Sequence, residues 1–318
     1  MKKSGSALAA LAAVAAALAL ITCSAEAMDG ARRSLALCAE VLIPSLFPFF
    51  VISALIQELG LPSRLGRLAA PLMSRLFGVS GPGCASLVLG LMAGYPLGAA
   101  SVAGLVRRGE LSRAEGERLL GFCNNSGPAF MLGAAGAGVF GSARAGILLY
   151  VCHILAALLS GLLLSFGHRS RSFTRPELSP ICEGALSAAV LASVRNMLNV
   201  CGFVVAFGVV VAVLDAVGFL PSLALDLSQA TGLEISAARA LMVGFFELGG
   251  GVGAMRGLAV TPLNLALCAL IIGWGGLSVH FQTSAVVGEM NTARHFAGRC
   301  MSAVFSFVLV LVLAPLAL

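Results

Sequence analysis

The sequence GPGCASLVLGLMAGYPLGAASVAGLV fills residues 81–106, and SAARALMVGFFELGGGVGAMRGL fills residues 236–258. Both stretches are largely apolar, yet both are interrupted near the middle by glycines, with Pro96 in the first. Because glycine and proline disfavour a helix interior, two half-helices of about ten residues, each roughly 15 Å long, fit better than one continuous rod. Each stretch is therefore predicted to form a re-entrant hairpin that enters and leaves on the same side of a membrane.

The composition of the whole chain predicts a polytopic membrane protein. Of 318 residues, 59% are hydrophobic and only 11% are charged, and the mean hydropathy is +1.00. Such a chain has too little polar surface to cover a soluble globule. Its other apolar runs have the length of about 20 residues that a helix needs to cross a bilayer. Continuous spans are predicted at 4–24, 36–59, 119–140, 145–166, 196–219, 262–283 and 300–318.

The N-terminal segment allows two interpretations. Lys2 and Lys3 precede an apolar run, and Ala25-Glu26-Ala27 is a candidate signal-peptide cleavage site. We favour a retained N-terminal transmembrane helix within residues 1–30, and cleavage is the alternative. The distribution of basic residues along the chain is compatible with either.

Basic residues predict the orientation of the chain in the membrane. With the N-terminus in the cytoplasm and each hairpin returning to its own side, 15 of the 20 lysines and arginines are cytoplasmic, Arg299 among them. This asymmetry satisfies the positive-inside rule for a bacterial cytoplasmic (inner) membrane protein. The five external ones are Arg32, Arg33, Arg144, Arg239 and Arg256.

The order of elements repeats along the chain. A span, a hairpin, a span with a polar break and a final span make up residues 31–166, and the same order recurs in residues 196–318. By the charge distribution the two gate repeats enter the membrane from opposite sides. Residues 167–195 between them are predicted to form a basic cytoplasmic linker and an interfacial helix. The predicted fold class is therefore an all-α polytopic membrane protein with two inverted repeats, each with a re-entrant helical hairpin and a broken transmembrane helix.

Polar groups at the four breaks predict a solute site. An unpaired backbone group is costly in lipid, so broken helices survive where protein or a watery cavity satisfies them. The first broken span carries two amides, a hydroxyl and a proline in residues 124–128, and residues 275–284 of the second alternate polar and apolar groups as an unwound stretch would. The predicted solute-binding residues are Gly94, Tyr95, Pro96, Asn124, Asn125, Ser126, Pro128, Glu247, Gly249, Gly250, Arg256, Ser278, His280 and Gln282.

Several of these residues also have a structural alternative. The amides of the first break could satisfy a helix end, and Tyr95 could be an interfacial anchor. Glu247 could bind solute or protons, because intramembrane acids are functional candidates, or it could merely pair with Arg256.

Other function classes find no support in the sequence. The nine cysteines form no CxxC pair and fit small buried hydrophobes better than disulfides or metal ligands. The GGGVGA segment at 249–254 fits a nucleotide fingerprint, but no soluble βαβ unit surrounds it. No catalytic set, metal cluster or nucleic-acid-binding basic patch stands out. We therefore expect neither an enzyme nor a cofactor-binding or nucleic-acid-binding protein.

Five motifs in order resemble the family of sporulation integral membrane proteins known as YlbJ. They are IPSLFPFF at 43–50, GYPLGA at 94–99, FCNNSGPAF at 122–130, FFELGGG at 245–251 and GGLSVHFQ at 275–282. The resemblance implies two nucleoside-recognition or gate domains, a layout similar to concentrative nucleoside transporters, and a role in passing dipicolinic acid across the outer forespore membrane. It carries over most directly to Asn124, Ser126, Pro128, Glu247, His280 and Gln282.

Three functions follow as hypotheses. The leading one is a transporter or facilitator for a small polar, anionic aromatic solute, with dipicolinate favoured and with half-helix N-termini attracting its carboxylates. The second is an ion-coupled nucleoside transporter, and the third is a non-transporting scaffold or gating subunit. The expected partners are the solute and the lipid bilayer, and a homo-oligomer is left open.

Overall fold

A computed structural model describes residues 14–59, 61–167 and 184–317. The described part is helical and contains no strand. The predicted span at 4–24 lies partly outside it, as does most of the predicted linker. The helices of the first half are α1 (Val14–Thr22), α2 (Ser24–Leu37), α3 (Ile43–Glu58), α4 (Leu61–Phe77), α5 (Gly83–Ala93), α6 (Leu97–Arg107), α7 (Arg113–Cys123) and α8 (Ala143–Ser165).

Two π-helical segments complete the first half. Cys38–Leu42 joins α2 to α3 without a break, and Ala129–Val139 follows the polar residues after α7. The second half consists of α9 (Ala185–Ala216), α10 (Phe219–Thr231), α11 (Ile235–Phe246), α12 (Leu248–Gly253), α13 (Pro262–Trp274), α14 (Gly276–Val287) and α15 (Ala293–Ala317).

Several helices begin at residues whose side chains cap the helix N-terminus. Ser112 caps α7 in a capping box with Glu115, and the Ser142 hydroxyl accepts a hydrogen bond at the start of α8. Thr261 does the same for α13, where Pro262 takes the first helical position and needs no amide donor.

Four helices in the described ranges are long and apolar enough to cross a membrane. They are Ala143–Ser165, Ala185–Ala216, the α13–α14 pair Pro262–Val287, and Ala293–Ala317. A fifth would be Val14–Thr22 with Ser24–Leu42, if this pair with a 94° bend is one span. The described part is thus all-helical with four to five candidate membrane spans, and the sequence predicted seven spans for the whole chain.

Two of the predicted spans are not single long helices, for local reasons. Residues 119–140 are divided by the polar break into two helical segments of 11 residues, each too short to cross alone. Residues 36–59 include the π-helical segment and Pro48 inside α3, which interrupt a regular helix.

The predicted interfacial helix is also different: residues 185–195 are the first part of the 32-residue α9. At about 48 Å, α9 is longer than a hydrocarbon core of roughly 30 Å.

Both predicted hairpins are broken where the glycines are. In the first, α5 and α6 have 11 residues each, pack on one another, and share a 2.7 Å hydrogen bond between the hydroxyls of Ser86 and Ser101. In the second, α11 ends at Phe246 and α12 has only six residues. The prediction of two equal half-helices is therefore wrong for the second hairpin, where three consecutive glycines give α12 little helix propensity.

The tertiary packing places the interrupted helices at the centre. α15 packs on α13, α8 and α7, so it contacts elements of both halves. α9 packs on α2 and α3 along one side. The buried apolar residues of α8, the second π-helical segment, α13 and α15 form one continuous core.

Candidate functional site

Each broken hairpin crosses a broken span by direct backbone contact. A Cβ atom added to Gly94 would lie 2.9 Å from the amide nitrogen of Gly127. In the other half, a Cβ on Gly276 would lie 2.9 Å from the nitrogen of Leu248 and 3.1 Å from the carbonyl of Phe246. Both glycines also have positive φ, +87° and +79°. Only glycine permits this approach and this conformation together.

The breaks of the two halves also touch each other. The hydroxyl of Tyr95 donates a 3.4 Å hydrogen bond to the carbonyl of Ile272, and the side-chain amide of Asn124 donates a 2.8 Å hydrogen bond to the hydroxyl of Thr283. Residues that lie about 160 to 180 positions apart in sequence are thereby joined. The four interruptions form one cluster in the protein interior.

A buried arginine from α15 connects this cluster. Arg299 is 1% exposed, and its guanidinium has five N–H donors, all of which are used. Nε and Nη2 donate to the carbonyl of Gly273 at 2.8 and 2.5 Å, and Nη2 donates to the hydroxyl of Ser302 at 3.2 Å. Nη1 donates to the carbonyl of Asn124 at 2.7 Å and to Oδ1 of Asn125 at 3.0 Å.

No acidic side chain in the described ranges pairs with this cation. None of the ion pairs among the described residues includes Arg299, and burying an unpaired charge costs several kcal/mol. The compensation comes from helix ends, because Asn124 caps the C-terminus of α7 and Gly273 lies in the last turn of α13. Each C-terminus carries a dipole equivalent to roughly half a negative charge. The face of the Tyr95 ring, 5.5 Å away, adds a cation–π contact.

Sequence reasoning missed the role of Arg299 by counting it as a cytoplasmic loop charge. The structure buries it in the second turn of α15, on a face of small residues that pack closely on α7 and α13. That face was visible in the sequence as Gly298, Ser302 and Ser306, a spacing typical of helix contacts in membranes.

A cavity of about 510 Å³ lies beside the cluster of breaks. Apolar side chains form most of its wall, contributed by α2, α3, the π-helical segments and α9, with Leu37, Leu46, Val200 and Val204 among them. The predicted site residues that line it are Gly94, Tyr95, Ser126, Glu247, Gly249, Arg256, Ser278 and Gln282.

The polar α14 side chains in the cavity wall, Ser278 and Gln282, have no hydrogen-bond partner among the described residues. Ser278 is 1% exposed and Gln282 is 3% exposed, and neither side chain makes a hydrogen bond to the described part of the protein. They lie four residues apart on α14, so they share one helix face. The fully buried hydroxyl of Ser278 is costly without a partner, and a polar solute in the cavity could bond to both side chains.

Glu247 borders the cavity at the break between α11 and α12. Its two carboxylate oxygens accept hydrogen bonds from the amides of Gly249 and Gly250, at 2.8 and 2.5 Å. The carboxylate therefore caps the N-terminus of α12. The alternative ion pair with Arg256 is not formed: none of the four described ion pairs joins them. Arg256 is exposed in the turn after α12 and is the cavity's cationic side chain.

Six of the predicted site residues do not line the cavity: Pro96, Asn124, Asn125, Pro128, Gly250 and His280. The two asparagines are instead occupied by protein groups. The Oδ1 atom of Asn124 accepts from the amide of Ala99 at 3.4 Å, and the amide of Asn125 donates to the carbonyl of Phe122 at 2.7 Å. The observed contacts of these amides are therefore those of the structural alternative, in which they satisfy helix ends.

The expectation of an unwound stretch over residues 275–284 is wrong. Only Gly275 lies outside a helix, and α14 begins at Gly276. A helix places Ser278 and Gln282 on one face and His280 on another. The His280 ring packs instead against Trp274, with 4.3 Å between ring centroids, and against His295 at 5.1 Å.

Taken together, the cavity combines one accessible cation, one carboxylate, four neutral polar side chains (Tyr95, Ser126, Ser278 and Gln282) and apolar walls. This combination suits a small solute with a flat apolar part and at least one polar or anionic group. No group of three or more potential metal ligands occurs in the ranges that the structure describes.

Comparison with known proteins identifies the family. Residues 39–170 match the family described as Gate: Nucleoside recognition. Over 317 residues the chain is 32% identical to the sporulation integral membrane protein YlbJ of Bacillus subtilis strain 168, covering 90% of this chain and 77% of that protein. No solved structure matches. The resemblance inferred from the five motifs is thereby confirmed, and the chain belongs to the YlbJ family of integral membrane proteins, with a nucleoside-recognition gate domain in its first half.

Proposed function

We propose that this protein transports, or facilitates the diffusion of, a small anionic aromatic solute across the membrane. The observation that carries the proposal is the cavity of about 510 Å³ beside four helix breaks, with Arg256, Ser278 and Gln282 in its wall. Ligand sites typically combine an apolar cavity of about this size with a few convergent polar groups. Interrupted helices at such a cavity are typical of secondary transporters.

The proposed architecture is a pair of inverted repeats, each with a re-entrant hairpin and a broken span. Its support is the matched order of elements and the same glycine-mediated crossing of hairpin and span in both halves. The excess of basic residues on one side supports opposite entry of the two halves, and it persists when the buried Arg299 is left out.

Dipicolinate is the first candidate solute. Its planar pyridine ring suits the apolar wall, and its carboxylates suit the guanidinium of Arg256. The half-helix N-termini are a weaker source of attraction than the sequence suggested, because Glu247 caps α12 and Asn124 contacts the amide of Ala99 in the first turn of α6. Recognition of charge therefore depends on Arg256. In a spore-forming organism the outer forespore membrane would be the site of this transport, and otherwise the bacterial cytoplasmic membrane.

Uptake of labelled dipicolinate into proteoliposomes tests the proposal. We expect the wild-type protein to accelerate uptake over protein-free liposomes, and Arg256→Gln to reduce it. Arg144→Gln is the matched control, since Arg144 is also exposed and on the same predicted side but does not line the cavity. Uptake equal to that of protein-free liposomes would refute the proposal, and equal effects of both substitutions would refute the role of Arg256.

A nucleoside is the second candidate solute. The family description of residues 39–170 favours it, and Gln282, Ser278 and Glu247 could hold ribose hydroxyls. Competition between uridine and dipicolinate for uptake distinguishes the two candidate solutes. A nucleoside site would still accept uridine in a protein with Arg256 replaced. A non-transporting scaffold or gating subunit remains the third alternative, and it requires that substitutions in the cavity leave function intact.

A further inference from the structure

Arg299 fills a site built from oxygen atoms of the two halves. Its guanidinium contacts four of them: the carbonyls of Asn124 and Gly273, Oδ1 of Asn125 and the hydroxyl of Ser302. All four residues are at most 1% exposed or belong to fully interior helix ends. The site therefore resembles a coordination shell whose centre is occupied by a side chain.

The carbonyls come from the C-terminal ends of two interrupted helices, α7 and α13. In transporters with inverted repeats, such half-helix C-termini and freed carbonyls are the groups that coordinate a driving sodium ion. Backbone carbonyls and neutral side-chain oxygens suit a hard monovalent cation, and the negative ends of the helix dipoles favour it. Here a permanently protonated guanidinium already supplies that positive charge.

Resting on the proposed transport function, we propose that Arg299 is a built-in cation that replaces a coupling sodium ion, so that solute passes through this protein without sodium dependence. Arg299 is then a positioning residue. It holds the ends of α7 and α13 together and lies over the ring of Tyr95, which lines the cavity. Because the guanidinium is covalently attached, the two helix ends keep this arrangement without the binding or release of an ion.

The first test compares uptake by the wild-type protein in media where sodium is replaced by potassium or by choline. The initial rate is expected to be the same in all three. A rate that falls when sodium is withdrawn would overturn the proposal.

The second test does not require transport. In Arg299→Ala the four oxygen atoms lose their cation, so the purified protein is expected to unfold at a lower temperature. Sodium chloride, or guanidinium at low millimolar concentration, should restore part of the loss, whereas choline chloride at equal ionic strength should not. An Arg299→Ala protein with no preference among these cations would contradict the proposal.

Arg118→Ala is the matched control for the second test. Arg118 is also buried, but it contacts the single carbonyl of Gly78 and no second interrupted helix. Its replacement should lower the unfolding temperature without any selective rescue by sodium or guanidinium. If sodium rescues Arg118→Ala equally, the rescue is general and the proposal fails.

A conservative variant covers the case in which Arg299→Ala does not fold. Arg299→Lys keeps the charge, so it is expected to fold and to remain independent of sodium, and a sodium requirement in this variant would overturn the proposal. If no solute is taken up in any medium, the transport function fails by itself, and the cation preference of the unfolding temperature still decides the nature of the Arg299 site.

Discussion

At the residue scale, the function of a polar side chain depends on its partners more than on its type. Asn124 and Asn125 satisfy helix ends and Arg299, whereas Ser278 and Gln282 have no partner and line the cavity. All four were predicted to bind solute on the basis of the sequence. The unpartnered pair on α14 is therefore the sharper candidate for contact with solute.

Replacement of Gln282 by leucine should weaken solute binding. The substitution keeps the approximate size but removes both hydrogen-bonding groups, and a net hydrogen bond of about 1 kcal/mol corresponds to roughly a fivefold change in affinity. We therefore expect KM for uptake to rise about fivefold or more, with little change in the unfolding temperature. Proteoliposome uptake over a range of solute concentrations measures this.

His280→Phe is the control on the same helix. The His280 ring packs in the aromatic cluster with Trp274 and Phe296 and does not line the cavity, so an aromatic replacement should leave KM unchanged. Ser278→Ala should raise KM, and Ser306→Ala, which removes an equally buried and unpartnered hydroxyl of α15, should not. A wild-type KM in both cavity variants would contradict the role of Ser278 and Gln282 in solute binding.

At the element scale, glycines set how closely the helices approach. α15 packs on α7 where a Cβ atom on Gly298 would lie 1.8 Å from the carbonyl oxygen of Gly121. That contact cannot be relieved by a side-chain rotation, because the backbone fixes the position of a Cβ atom and the carbonyl is itself part of the backbone. The same closeness places Arg299, the next residue, within reach of both interrupted helices.

Gly298→Ala should therefore destabilise the protein. The added methyl group must push α15 away from α7, and overpacking of this kind costs about 1–3 kcal/mol. We expect a lower unfolding temperature in detergent, together with reduced uptake because Arg299 is displaced.

Gly202→Ala is the matched control for this prediction. Gly202 also lies inside a long helix, α9, but a Cβ atom there would have no neighbour within 4 Å. Alanine is a better helix former than glycine by roughly 1 kcal/mol, so stability should be unchanged or higher. An equal loss of stability in both variants would indicate that the loss of a glycine, and not the contact between helices, determines the effect.

At the scale of the whole molecule, the proposed inverted topology predicts opposite exposure of the two hairpins. Arg107 ends α6 on the predicted cytoplasmic side, and Val260 follows α12 on the predicted outer side. In Arg107→Cys, a membrane-impermeant thiol reagent should add label only in inside-out vesicles, and in Val260→Cys only in right-side-out vesicles. The wild-type protein gives the background from its own cysteines. Labelling of both positions from the same side would contradict the inversion.

The sequence by itself determined the membrane class, the family and the position of the breaks. These depend on local properties, namely apolar length, the low helix propensity of glycine and the missing donor of proline. It overestimated the length of the second hairpin arm, because three consecutive glycines shorten α12 more than hydrophobicity indicated.

Only the tertiary structure decided which polar residues meet the cavity and where the central cation lies. The face on which Gln282 and His280 lie depends on α14 being helical, and the role of Arg299 depends on where two helices end that are about 150 residues apart in sequence. The carbonyls that hold Arg299 are present in every residue, so no pattern of side chains distinguishes them. These carbonyls come together only through the packing of the helices. The position of the Arg299 charge could therefore be located only in the folded molecule.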